Sequence, residues 1–110
     1  MAMKPLSRAI MFVEEFRKVD PELPMHSALI LLLIAQKPGI NLKELVQATG
    51  LVKSSVSRNV AALSKEYGGK GLITMTEDPA DRRNKVVKLT LEGERMVRSL
   101  LHYIGEEETV

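Results

Sequence analysis

Apolar residues recur at helical spacing along most of this chain, interrupted near residues 72–89 by two shorter runs of β type. Pro5, whose fixed φ suits a first helical turn, opens a helix that Asp20-Pro21 stops after Val19. Leu6, Ile10, Val13 and Phe16 form one apolar stripe along it, with Met11 and Phe12 lying off that stripe. A helix apolar on more than one side needs a second surface to cover it, and another subunit is the expected cover. A second helix begins near Pro24 and ends before Pro38-Gly39. The third opens at Asn41 with Glu44 three residues on, a capping-box arrangement, and closes at Gly50 with Leu42, Leu45 and Val46 facing inward.

A fourth helix is predicted from Lys53 to Tyr67. At about 100° per residue, Val56, Val60, Leu63 and Tyr67 share one face, while Ser54, Arg58, Ala61 and Lys65 share the opposite one and Ser57 flanks it. Small residues let that face approach another body closely, and Arg58 projects from its middle. The β-type runs Leu72–Thr76 and Lys85–Leu89 follow, joined by a charged loop that contains Pro79 and is expected to be too long for a two-residue turn, so that it protrudes. Thr90 caps a last helix, about Leu91 to Ile104, which spreads Met96, Val97, Leu100, Leu101, Tyr103 and Ile104 over more than one face. Glu106-Glu107-Glu108 reads as a solvated tail. The order of elements predicts a mainly α fold with a small β-hairpin, a winged helix-turn-helix, filling residues 1–110 as a single domain whose terminal helices pair two subunits.

Charge sharpens this picture. The formal net charge is only +2, yet the segment from Lys53 to Lys88 holds eight basic residues against four acidic ones, an excess of four, so the remainder is slightly acidic. Such asymmetry suits a polyanion-binding face. Small polar side chains and one Arg on a helix, followed by the Arg82-Arg83 pair on a hairpin, suit a module that lays the helix in a DNA major groove and the hairpin along a minor groove.

Other chemistries find little support. With no Cys there is no disulfide framework, thiolate metal site or cysteine-based redox switch. His26 and His102 are isolated, so no metal is expected, and no cofactor either. The sequence offers no nucleophile-base pair or paired carboxylates, and Gly68-Gly69-Lys70 lacks the pattern of a phosphate-cradling loop, so an enzyme is not expected. The apolar stretch Ala28–Ala35 falls far short of the roughly 20 residues of a membrane span. Lys4, Arg8, Glu14 and Glu15 leave no apolar run for a secretory signal, and a cytoplasmic location is expected.

The wording of the motifs adds a family. Pro38-Gly39-Ile40-Asn41-Leu42-Lys43-Glu44-Leu45, Thr49-Gly50-Leu51-Val52-Lys53-Ser54-Ser55-Val56-Ser57-Arg58-Asn59-Val60, Asp78-Pro79-Ala80-Asp81-Arg82-Arg83 and Leu89-Thr90-Leu91-Glu92-Gly93 together resemble the MarR family of bacterial transcriptional regulators. The resemblance spans roughly Leu23 to Val97. It implies a homodimeric repressor of double-stranded DNA in which Ser54, Ser55, Ser57 and Arg58 contact bases and phosphates, Asp81 locks the wing through a salt bridge, and Arg83 enters the minor groove. Lys53, Lys65, Arg82 and Lys85 complete the expected DNA-binding set.

The chain also departs from the family pattern. Val52 stands where the family usually caps its recognition helix with Ser or Thr, the turn before Gly71-Leu72-Ile73 is lengthened to Tyr67-Gly68-Gly69-Lys70, and the terminal helices read as abbreviated. A small-molecule effector stays open on this reading. A winged helix used as a protein-interaction module and a plasmid or phage replication or partition factor are the alternatives; the first would favour a more acidic or apolar face than the basic one present.

Overall fold

Prolines and side-chain caps set the helix boundaries in the computed structural model, which describes residues 3–66 and 68–105. Tyr67 and the Glu106–Glu108 tail, assigned above from the sequence, lie outside these described residues. Helix α1 (Pro5–Val19) starts on its proline, and α2 (Met25–Gln36) follows Pro24. After strand β1 (Ile40–Asn41), α3 (Leu42–Thr49) begins at the expected capping box: the Glu44 N–H donates to Asn41 Oδ1 at 2.7 Å, and the Asn41 N–H donates to Glu44 Oε1 at 3.0 Å. It ends on Gly50, whose φ of 74° is the left-handed conformation that a side chain disfavours. Helix α4 (Lys53–Leu63), strands β2 (Ile73–Asp78) and β3 (Asp81–Leu89), and helix α5 (Leu91–Tyr103) complete the order. Thr90 Oγ1 accepts from the Gly93 N–H at 3.1 Å and donates to the Gly71 carbonyl at 2.6 Å, so one hydroxyl both caps α5 and ties it to the start of the hairpin.

The core gathers around one face of α2, while Met25 and Leu29 elsewhere on the helix are 85% and 40% exposed. Ile30, Leu31 and Ile34 of α2 meet Leu45 of α3, Val56, Val60 and Leu63 of α4, Ile73 and Val87 of the sheet, and Leu100 of α5, all fully buried. Gly93 lets α5 seat on the chain before β2, since a Cβ there would lie 2.0 Å from the Leu72 carbonyl oxygen. The result is a mostly helical fold with a three-stranded antiparallel sheet in the order β1-β3-β2, the winged helix expected from the sequence.

Four local expectations are corrected. Helix α4 stops at Leu63 rather than Tyr67, because Ser64 turns extended (ψ 161°) and bridges to Ile73 while the Lys65 N–H donates to the Ile73 carbonyl at 3.0 Å. Tertiary strand pairing thus outcompetes another helical turn, and Lys65 leaves the helix.

The hairpin is also tighter than expected. Its strands run through the charged segment until only Pro79-Ala80 remain between Asp78 and Asp81, a two-residue turn. Backbone ladders form without apolar alternation when both faces are solvated. The irregularity between Glu77 and Asp78 shifts the register so that Glu77 faces Lys85 while Asp78 faces Asp81, leaving Arg82, Arg83 and Asn84 unopposed.

Strand β1, absent from the sequence reading, pairs Ile40 with Val87. On α1, finally, Phe16 alone of the expected stripe faces inward. Leu6, Ile10 and Val13 are 74%, 53% and 54% exposed, while Phe12 packs on the core and against Phe16 edge-to-face, with ring centroids 5.5 Å apart. An α-helix apolar on two sides does not declare which one is inside.

Candidate nucleic-acid interface

Helix α4 supplies an outward ridge because its other face is fixed in the core. With Val56, Val60 and Leu63 buried, the 100° step turns Ser54 and Arg58 to solvent, sets Lys53 and Ser57 toward the hairpin, and sets Ser55 and Asn59 toward α2. Ser54, Arg58 and Lys53 are exposed; Ser55 and Ser57 are half-buried. The Ser27 hydroxyl of α2 donates to Asn59 Oδ1 at 2.5 Å, and Asn59 Nδ2 donates to the Ser55 carbonyl at 2.8 Å, which pins α4 to the helix beneath it. Val52 occupies the N-cap with extended φ/ψ of −69° and 156° and gives no side-chain hydrogen bond, so α4 starts without a side-chain cap.

Between this ridge and the hairpin lies a hollow of about 460 Å³ lined by Leu42, Lys43, Val46, Lys53, Arg83, Asn84 and Lys85. Four cations converge there, and among the described residues its lining includes no carboxylate. Lys53, Arg83 and Lys85 were expected from the sequence. Lys43 and Asn84 were not. Lys43 sits in the first turn of α3, where the helix dipole disfavours a cation, and that misfit was the available signal.

At the wing tip Arg83 folds back onto Asp81. Its Nε lies 3.2 Å from Oδ1 and its Nη2 3.4 Å from Oδ2, and its backbone N–H donates to Oδ1 at 3.1 Å. The guanidinium hydrogen bond and then the backbone one hold the Asp81 carboxyl below its ordinary value of 3.8. The Arg83 side chain is nevertheless 90% exposed, so its remaining donors stay available. Arg82 is exposed beside it. Lys65, expected on the ridge with Arg58, instead occupies the exposed turn after α4.

Chemically the surface offers ammonium and guanidinium donors beside small hydroxyls, a set matched to phosphates and base edges. Among the described residues no group of three or more His, Asp or Glu is arranged to hold a metal ion. No described helix is long and apolar enough to cross a membrane.

Comparison with known proteins gives the family and the fold. The model of the MarR family matches residues 22–84, more than half of the chain. The transcriptional regulator HosA of Escherichia coli O111:H- is 31% identical over 81 residues, which make up 74% of this chain but 57% of that protein, so the match spans little more than half of the curated relative. The crystal structure of MarR superposes with a TM-score of 0.69 at 25% identity, covering 94% of this chain and 72% of that one. The S. aureus MepR structure, a complex with DNA, superposes with a TM-score of 0.70 over 94% of this chain and 77% of its own, and at 21% identity it speaks for the fold alone.

Proposed function

The chain belongs to the MarR family of winged-helix transcriptional regulators, and from that premise we propose that it binds double-stranded DNA in a sequence-specific manner and represses transcription by occupying an operator. The observation that carries this reading is the hollow of Lys43, Lys53, Arg83 and Lys85 beside the exposed ridge of α4. Lys43, Lys53 and Lys85, gathered beside an Arg83 whose own partner is Asp81, form a net positive cluster that a polyanion stabilises. The ridge reads bases in the major groove through Ser54, Ser55, Ser57 and Arg58. Lys53, Lys65, Arg82 and Lys85 hold phosphates. Arg83 reaches the minor groove from a hairpin that Asp81 stiffens.

The functional unit is a homodimer. Leu6, Ile10 and Val13 on α1 and Ile104 after α5 leave apolar side chains in water that a two-fold partner covers, and the same symmetry presents two ridges to half-sites about one DNA turn apart.

Selection of duplexes from a random pool tests the reading. Enrichment of a sequence with two-fold symmetry is expected, whereas a pool that stays random after several rounds contradicts specific binding. The basic surface favours DNA over a protein partner.

A further inference from the structure

A recognition helix in a major groove about 12 Å wide is bordered by two phosphate backbones, one on each side. Lys53, Arg83 and Lys85 lie on the hairpin side. On the opposite side of α4 lies a second polar hollow of about 380 Å³, between α4, the start of α2 and the segment after α4. Arg58 enters it from α4, His26 from α2 and Lys70 from the following segment.

The position of Lys70 is built by the backbone. Its N–H donates to the Ala62 carbonyl at 2.9 Å, satisfying an acceptor that the end of α4 leaves open, and the Leu72 N–H does the same for Leu63 at 2.9 Å. Gly69 passes so close to the helix end that a Cβ would lie 2.2 Å from the Ala62 carbonyl oxygen. The glycine pair therefore allows the segment to fold back along α4 and deliver Lys70 to the flank of the ridge.

We propose, resting on the DNA-binding reading, that Lys70, with His26 and beside the base-reading Arg58, holds the phosphate backbone of the DNA strand on the α2 side of the recognition helix. One acidic group, Asp20, shares the hollow, and its Oδ2 lies 3.8 Å from Lys70 Nζ with side chains 35% and 40% exposed. A pair that long and that wet contributes little, so a phosphate reached by His26 and Lys70 displaces it. Asp20 is then a local antagonist of DNA.

The opposite signs of two variants test the proposal. Fluorescence anisotropy is measured over several salt concentrations with a labelled random-sequence duplex and with a duplex enriched by the wild-type protein. Lys70→Gln weakens binding to both by about fivefold at about 0.15 M salt and lowers the salt slope by about one. Lys70→Arg restores both quantities. Asp20→Asn tightens binding roughly twofold, because a neighbouring negative charge is gone. A merely structural Lys70–Asp20 bridge predicts instead that Asp20→Asn and Lys70→Gln lower the melting temperature together and weaken binding together, and that result overturns the proposal. So does an unchanged salt slope for Lys70→Gln while Lys43→Gln weakens binding, a result that leaves the DNA reading standing. Wild-type protein that binds neither duplex overturns the DNA reading itself.

Discussion

Ser27 of α2 and Asn59 of α4 are joined at 2.5 Å, the buried Ser27 hydroxyl donating to the Asn59 side-chain oxygen. The same amide donates to the Ser55 carbonyl one turn back. The pair ties α4 to α2 beneath it. Ser27→Ala leaves a half-buried acceptor without its donor and is expected to cost about 1 to 2 kcal/mol. Urea unfolding of the variant measures this directly, and an unchanged midpoint shows that the bond contributes nothing.

Val52 makes the start of α4 a place where stability can be gained. An N-cap hydroxyl is worth about 1 kcal/mol over an aliphatic side chain, and the extended backbone at Val52 already has the conformation a cap needs. Val52→Thr is therefore expected to raise the thermal midpoint. A lower or equal midpoint shows that the first-turn amides of α4 already have other partners.

The Asp81–Arg83 contact has a definite pH signature. Because the carboxyl is held below its ordinary value of 3.8, the contact's contribution is complete above that value and disappears as pH falls through the lower native value. Neutral and mildly acidic conditions leave the Asp81–Arg83 contact in place. An NMR titration of the Asp81 carboxyl carbon is expected to give a midpoint below 3.8, and Arg83→Ala should return it toward the ordinary value. A native midpoint at or above 3.8 contradicts the lock.

Local chemistry made most of the helix boundaries readable before any coordinates. Pro5, the Asn41–Glu44 box, Gly50 and Thr90 each act on neighbours within four residues, and each works in the structure as read. Decisions made by distant partners were not readable. Ile73 ends α4 through Ser64 and Lys65, and so removes Lys65 from the ridge. Val87 recruits Ile40 into a strand too short to leave a pattern.

The hairpin and the hollows follow the same division. The charged strands Glu77-Asp78 and Asp81–Lys85 look like a loop because solvent bathes both faces. Lys43 and Lys70 join the two hollows through tertiary folding, whereas Ser54 and Arg58 on one helix were visible from periodicity.

The exposed stripe on α1 predicts assembly. Wild-type protein at micromolar concentration is expected to scatter light as a dimer. Ile10→Glu should give a monomer that still unfolds cooperatively, since Ile10 is more than half exposed in the single chain. A wild-type monomer, or an Ile10→Glu dimer, removes α1 from the interface.

Arg58 bears the central claim that the α4 ridge reads base sequence. The decisive measurement is a fluorescence-anisotropy titration of wild type and Arg58→Ala against the enriched duplex and a scrambled one at matched salt. A contact to a base edge predicts that Arg58→Ala loses about 1 to 3 kcal/mol on the enriched duplex, loses less on the scrambled one, and relaxes the preference at one base position. Equal losses on both duplexes, or none on either, contradict a base-reading ridge.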